Sequence, residues 1–257
     1  LRPVCGETTG LTTFLKNKKN PYGFSPRARL DLVGWKPYVN HLLDQAGEGY
    51  RRVMIWCPSG LYRIGHNFPC EFQSAWKPMQ VASWPEQYPR LREKNVDVGF
   101  WWGRSGQISG GWNSGELETM DPDNPEHRRF AYNELDLARR RGGRDIGLDA
   151  FKAIPLWQRY GWLQRLIKDF PELHFITESC DCDIMHTIAP TFTLWRKQAS
   201  PAVLADWLNP GHETWIRIVA REHDGEKFKK VIEWKMVPVN MSKPNTHDAG
   251  EFENEVD

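Results

Sequence analysis

The sequence has almost no net charge and no long apolar run. Its 257 residues include 34 basic and 33 acidic side chains, which leaves a formal charge of +1. A protein held on nucleic acid mainly by electrostatics needs a concentrated excess of Lys and Arg, so we expect no nucleic-acid partner. No stretch approaches the roughly 18 apolar residues of a membrane helix, so we expect no membrane span.

Motifs and cysteines that would indicate a cofactor or a metal are also missing. No G-x-G-x-x-G or G-x-x-x-x-G-K motif follows a predicted strand, which argues against a dinucleotide or P-loop site. Five cysteines do not make a disulfide framework. Cys180 and Cys182 are too close together for the usual zinc knuckle, and no strand has a His-x-His pair. We therefore expect no cofactor and no metal.

The compartment and the assembly state stay open at this level. We find no charged and then apolar leader, so we expect no signal peptide. The sequence begins at Leu1 rather than Met, so a cytoplasmic, a secreted and a particle-associated protein all remain alternatives. A homo-oligomer or a larger assembly is equally compatible with the sequence.

Short apolar runs alternate with segments of helical period, which indicates parallel strands joined by right-handed crossovers. The sequence predicts strands at 52–58, 96–102, 145–151, 173–178 and 203–208, with weaker ones at 29–33, 189–193 and 235–239. It predicts helices at 37–45, 156–170, 212–222 and 226–234, and one that begins at Pro125 behind an Asn124 N-cap. We expect a (β/α)8 TIM barrel, and the alternative is a doubly wound open sheet.

The expected domain organisation has three parts. An irregular N-terminal arm covers 1–30, the barrel domain covers 31–242, and a polar C-terminal tail covers 243–257.

Three carboxylates come at or near the ends of predicted strands: Asp149, Glu178 and Asp206. A (β/α)8 barrel has its active site at this end of the strands, and a lone carboxylate in an apolar run is costly to bury. Gly147 leaves room beneath Asp149. Parallel neighbours lie about 4.8 Å apart, so the carboxyls of Asp149 and Glu178 could lie roughly 5 to 6 Å apart. That separation suits retaining glycoside hydrolysis. The alternative for each acid is a helix N-cap or a salt bridge to an Arg at the rim.

The 13 tryptophans favour a flat ligand such as a sugar, because an indole ring stacks on apolar faces. Five of them lie at strand ends or in the loops after them, and we predict that they contact a carbohydrate: Trp56, Trp101, Trp102, Trp112 and Trp207. We predict polar substrate contacts from Arg63, His66 and His212. The alternative for Trp101 and Trp102 is that they divide between the core and the packing of helices.

The sequence resembles glycoside-hydrolase-like (β/α)8 barrels of no assignable family. The resemblance rests on the segments 121–126, 146–151 and 175–179. In the α-amylase-like clan the corresponding order is a nucleophilic Asp, an acid/base Glu and a substrate-holding Asp, which implies these roles for Asp149, Glu178 and Asp206. Gly147 stands where that clan has Arg and the α-galactosidase-like clan has Lys, and Ala205 stands where the α-amylase-like clan has His.

Two functions follow as hypotheses. The first is a retaining glycosidase that acts on an oligo- or polysaccharide. The second is a catalytically inactive barrel that serves as a carbohydrate-binding or structural component of a cell-surface or virus-particle assembly. A metal-dependent hydrolase is disfavoured, because the His-x-His pair is missing.

Overall fold

The structure is a computed structural model that describes nine segments and four single residues. The segments are 4–8, 35–47, 49–56, 84–102, 105–109, 117–178, 183–194, 213–219 and 225–241, and the single residues are 204, 207, 208 and 210. All structural statements below concern these residues.

Strands and helices alternate along most of the described chain. The strands are β1 (Val4–Thr8), β2 (Arg52–Trp56), β3 (Asp97–Trp102), β4 (Gln107–Ser109), β5 (Leu117–Thr119), β6 (Gly143–Leu148), β7 (His174–Glu178), β8 (Thr191–Leu194), β9 (Trp215–Val219) and β10 (Val237–Met241). The helices are α1 (Trp35–Gly47), α2 (Trp84–Glu93), α3 (Pro125–Arg140), α4 (Leu156–Asp169), α5 (Asp183–His186) and α6 (Gly225–Glu233).

The long strands form one curled parallel sheet. Its neighbours follow the order β1, β10, β9, β8, β7, β6, β3 and β2, and β1 also pairs with β2. The strands β4 and β5 form a separate antiparallel pair between β3 and α3. The fold is therefore mixed α/β with a curled parallel sheet, as expected. A complete (β/α)8 repeat stays a prediction, because parts of several connections lie outside the described residues.

The core has two layers because the sheet is curled. Strand side chains alone fill the inside of the sheet: Met54, Trp101, Ile176, Phe192, Trp215, Val237 and Val239. Alternate strand residues point the other way and pack with helix residues, among them Phe100 and Trp102 with Leu135 and Leu163. Inward-facing side chains near the strand ends therefore sit over or under an apolar interior.

The start of α3 and the end of α4 agree with the positions predicted from the capping residues and the apolar stripe in the sequence. The Asn124 side chain accepts a hydrogen bond of 2.9 Å from the Glu126 N–H, and Pro125 occupies the first turn. Gly142, with φ of 91°, lies just past the end of α3, where a left-handed residue is favoured. The apolar stripe of α4 ends at Phe170, before Pro171, as the sequence predicts.

Two predicted elements are wrong. Leu204, Trp207 and Leu208 have helical backbone, where we expected a strand over 203–208. Trp215–Val219 forms strand β9, where we expected a helix over 212–222. A short apolar run fits either a strand or a buried helix turn, because periodicity cannot separate the two over so few residues.

The sheet also begins earlier than expected. Val4–Thr8 forms β1 and pairs in parallel with both β2 and β10, inside the segment that we expected to be an irregular arm. The short segment has too little local pattern to be recognised, and its partners are distant in the sequence. The domain boundaries at 31 and 242 otherwise stay predictions, and the weak strand at 29–33 and the tail at 243–257 lie outside the described residues.

Candidate active site

Adjacent strands β6 and β7 bring Asp149 and Glu178 to the same rim of the sheet. Leu148 pairs with Thr177, so the next residues in register are Asp149 and Glu178. The backbone fixes Asp149 just beyond the end of β6, because its N–H donates to the Trp102 carbonyl at 3.1 Å. Its own carbonyl accepts from both the backbone N–H and the hydroxyl of Ser105, each at 2.9 Å. The position of Asp149 is therefore set by β3 as well as β6.

The carboxyl group of Glu178 contacts the end of β6. Its Oε2 accepts a hydrogen bond of 3.0 Å from the Ala150 N–H, and its side chain lies within hydrogen-bonding reach of Asp149. Ala150 has a φ of 49°, a left-handed conformation that directs its N–H at Glu178. Both carboxylates are half-buried. The structure thus brings the two to one rim of the sheet, and their roles stay predictions.

The surroundings of Glu178 favour its protonated form. Burial, followed by the negative charge of Asp149, raises the pKa of Glu178 from 4.5 to about 7, against the opposing effects of the Ala150 N–H and of Lys152. A carboxylic acid with a pKa near neutrality can donate a proton to a leaving group and take one back from water. The pair therefore consists of chemically unequal carboxyl groups.

An indole ring forms the floor beneath this pair. Trp101 pairs with Gly147 across β3 and β6. A Cβ atom on Gly147 would lie 2.0 Å from the Trp101 ring, so the room that Gly147 leaves is filled by Trp101. Trp101 is 5% exposed and packs edge-on against Phe192 with ring centroids 5.1 Å apart. Trp101 is therefore the part of the apolar interior that lies next below the carboxyl pair in strand register.

The other predicted contacts are placed differently or not described. Trp102 is 4% exposed and packs in the layer between sheet and helices, so Trp101 and Trp102 divide as the packing alternative states. Trp207 is 74% exposed. Trp56 ends β2, and its side chain is not among those described. Five predicted residues lie outside the described residues: Asp206, Trp112, Arg63, His66 and His212.

Sequence reasoning missed a second polar cluster, at the opposite ends of the strands. The guanidinium of Arg52 lies 2.6 and 2.8 Å from the two carboxyl oxygens of Glu213, and 3.2 and 3.3 Å from those of Asp145. His174 Nδ1 lies 2.9 Å from Asp145. Burial opposes ionisation of Asp145, but the hydrogen bond to His174 and the charge of Arg52 hold its pKa below the usual value.

This cluster lines a pocket of about 570 Å³ together with Asp97, Arg144 and Glu172. The Arg52 guanidinium lies 4.9 Å from the centroid of the Trp215 ring, which covers the apolar interior from below. In parallel barrels the amino-terminal face serves stability rather than catalysis. A signal was present in the sequence, since Arg52, Asp145 and His174 are charged or polar residues within or at the start of apolar runs.

Neither a candidate metal site nor a candidate membrane-spanning helix is found among the described residues. Among them, no group of three or more His, Cys, Asp or Glu side chains is arranged to hold a metal ion. No helix of the described segments has the length and apolar character to cross a membrane.

Comparison with known proteins supports the fold. No family profile and no curated protein matches the sequence. Among solved structures, a maltogenic alpha-amylase, AmyB from Thermotoga neapolitana, aligns with 99% of this chain and 75% of its own, with a TM-score of 0.56 and 12% identity. The cyclomaltodextrin glucanotransferase CldA aligns with 93% of this chain and 71% of its own, with a TM-score of 0.57 and 10% identity.

A third structure extends the likeness to another glycosidase group. A GH36 alpha-galactosidase, AgaA from Geobacillus stearothermophilus, aligns with 99% of this chain and 41% of its own, with a TM-score of 0.52 and 11% identity. The expected resemblance to glycoside hydrolases is thus confirmed. At these identities it is a likeness of fold.

Proposed function

We propose that this protein is a retaining glycoside hydrolase of an oligo- or polysaccharide, with Asp149 as nucleophile and Glu178 as acid/base. The observation that supports this most directly is the placement of the two carboxyl groups at successive register positions, at the ends of the adjacent parallel strands β6 and β7. Inverting enzymes keep their carboxyl groups roughly 6.5–9.5 Å apart to admit a water molecule, whereas retaining enzymes hold them closer. The glycosidase folds of the structural neighbours suggest a carbohydrate as substrate.

The proposed reaction has two steps. In the first, the Asp149 carboxylate attacks the anomeric carbon while protonated Glu178 gives its proton to the leaving oxygen, which breaks the glycosidic bond. In the second, ionised Glu178 takes a proton from water, and the water oxygen displaces Asp149 from the sugar. Asp149 leaves as a carboxylate and Glu178 ends protonated, so the pair returns to its initial state.

The remaining predicted contacts belong to the same proposal. We place Asp206, Trp112, Arg63, His66 and His212 at this rim as substrate contacts, on the basis of their positions in the sequence. A complete (β/α)8 barrel would bring the loops that follow all the strands to one face, as this assignment requires.

Substitution of each carboxyl group tests the proposal. Asp149→Asn and Glu178→Gln are expected to abolish hydrolysis of a glycan panel, read as released reducing ends, while leaving the circular dichroism spectrum unchanged. Glu233→Gln makes the same chemical change at an exposed position in the last turn of α6 and is the matched control. NMR of the first product formed should show the anomeric configuration of the substrate.

Three outcomes would contradict the proposal. Both carboxyl variants could hydrolyse glycans as well as the parent, which would end the assignment of these residues. An inverted first product would end the retaining mechanism. Glycan binding by the parent without hydrolysis would support the alternative of a non-catalytic carbohydrate-binding or structural barrel.

A further inference from the structure

An exposed aromatic pair lies in the first turns of α4. Trp157 is 70% exposed, and its ring meets Tyr160 at a centroid distance of 6.3 Å in an edge-on arrangement. Gly161 lies on the same helix face as Trp157, four residues on, and a Cβ atom there would meet nothing within 4 Å. The space along this face of the helix is therefore open.

The chain path places Trp157 on the rim that holds the carboxyl pair. The connection from Asp149 to Pro155 is short, and its buried residues Phe151 and Ile154 anchor it in the core. Its 3-10 turn, Phe151–Ala153, contacts both β7 and α4. Lys152 in this turn is close enough for its charge to act on Glu178.

The number of residues between the carboxyl pair and Trp157 sets an upper limit on the distance between them. Ala150, which contacts Glu178, is seven residues before Trp157, so the two lie at most about 25 Å apart even for fully extended chain. The 3-10 turn Phe151–Ala153 and the start of α4 at Leu156 within this stretch shorten the distance further. A glycan chain of several sugars can cover such a span, and it extends further from the reacting bond than a disaccharide does.

We infer that Trp157, with Tyr160 at its edge, is a sugar-stacking site that holds the outer part of a glycan chain whose reacting bond lies at Asp149 and Glu178. An indole offers a flat apolar face for the C–H side of a sugar ring, while the sugar hydroxyls remain in water. The inference rests on the proposed function for the reaction itself, and its binding part can be tested separately.

The test compares short and long substrates. Trp157→Ala is expected to lower kcat/KM about tenfold for long oligosaccharides of whichever glycan type the parent hydrolyses, and to leave the disaccharide unchanged. Trp157→Phe should retain much of the activity on long substrates. Ile232→Ala removes another exposed apolar side chain, 52% exposed and near the end of α6, and is the matched control for surface hydrophobicity.

A binding measurement separates this inference from the proposed function. In the Glu178→Gln background, affinity electrophoresis in gels that contain starch, cellulose or chitin derivatives should show retardation that Trp157→Ala abolishes. If the parent hydrolyses glycans and Trp157→Ala is equally active on every chain length, the inference is wrong and the proposed function stands. If the parent binds a glycan through Trp157 without hydrolysis, the sugar-stacking site stands, whereas the reacting bond at Asp149 and Glu178 and the proposed function are wrong. A loss of self-association in size-exclusion chromatography with unchanged glycan affinity would assign Trp157 to a contact between copies and overturn the inference.

Discussion

The Trp101 indole occupies the space that Gly147 leaves open on the neighbouring strand. A Cβ atom on Gly147 would come within 2.0 Å of that ring, far inside van der Waals contact. The same complementarity recurs one layer below, where a Cβ atom on Gly99 would lie 2.7 Å from that of Asp145. Glycine at one position of each of these register pairs therefore lets the side chain of its partner fit inside the curled sheet.

Gly147→Ala should destabilise the protein. The added methyl group must displace Trp101, and such overpacking costs about 1–3 kcal/mol. Gly161→Ala, in open space on α4, is the matched control and should stabilise by roughly 0.5–1 kcal/mol through helix propensity. Urea denaturation measures both. Trp101→Leu in the Gly147→Ala background should recover part of the loss, and a Gly147→Ala protein as stable as the parent would disprove the contact.

The rate of glycan hydrolysis should fall as the pH rises through neutrality. Burial and the charge of Asp149 raise the pKa of Glu178 to about 7, so the proton that the leaving group needs is lost above that value. The alkaline limb of the kcat/KM profile should therefore lie near pH 7 and disappear in Glu178→Gln, whose residual rate is expected to be about 10²–10⁴-fold lower. A parent profile that is flat from pH 5 to 9 would exclude Glu178 as the acid.

The stability of the parent should also fall as the pH rises from about 4.5 to about 7. The pKa of Glu178 is about 7 in the folded chain and 4.5 in its usual environment, so the folded state binds more protons between these values. Stability is highest below pH 4.5 for this group and declines as the pH rises towards 7. Glu178→Gln carries no titrating group there, so its melting temperature should exceed that of the parent at pH 8 by more than at pH 5. Equal differences at both pH values would contradict the raised pKa.

Arg52→Met should be strongly destabilising. The substitution removes Arg52 from Asp145, which is 5% exposed and keeps its contact with His174, and loss of one member of a buried pair costs about 3–5 kcal/mol. The carboxylate of Asp145 contributes stability above its usual pKa, and that contribution is lost as the pH falls through its lowered folded value. Arg129→Met, at a surface pair with Glu126, is the control and should change stability little. Comparable small effects of the two substitutions would mean that the Arg52 cluster is not structural.

Much of the fold could be predicted because its signals are local. The apolar runs that became β2, β3, β6 and β7 are bounded by turn residues, and α3 begins at an Asn-Pro pair that acts through its own backbone. The placement of Asp149 and Glu178 at one rim followed from the same information, because parallel strands end at one rim and each acid comes at the end of its run.

The rest depends on partners that are distant in the sequence. The strand β1 exists through its pairing with β2 and β10, and β9 is a strand because it lies between β8 and β10. The Arg52 cluster joins residues 93 and 161 positions apart. No window of the sequence contains both members of such a contact.

The amino-acid order alone determined the start of α3 and the acids at the ends of β6 and β7, since each depends on the conformational preference of a few neighbouring residues. Only the folded sheet decided which tryptophan lies beneath the carboxyl pair, which one packs against helices and which one faces water. Those outcomes depend on strand register and on the curvature of the sheet. Neighbouring residues of a strand point to opposite faces, and the register decides which residues from distant parts of the chain they contact.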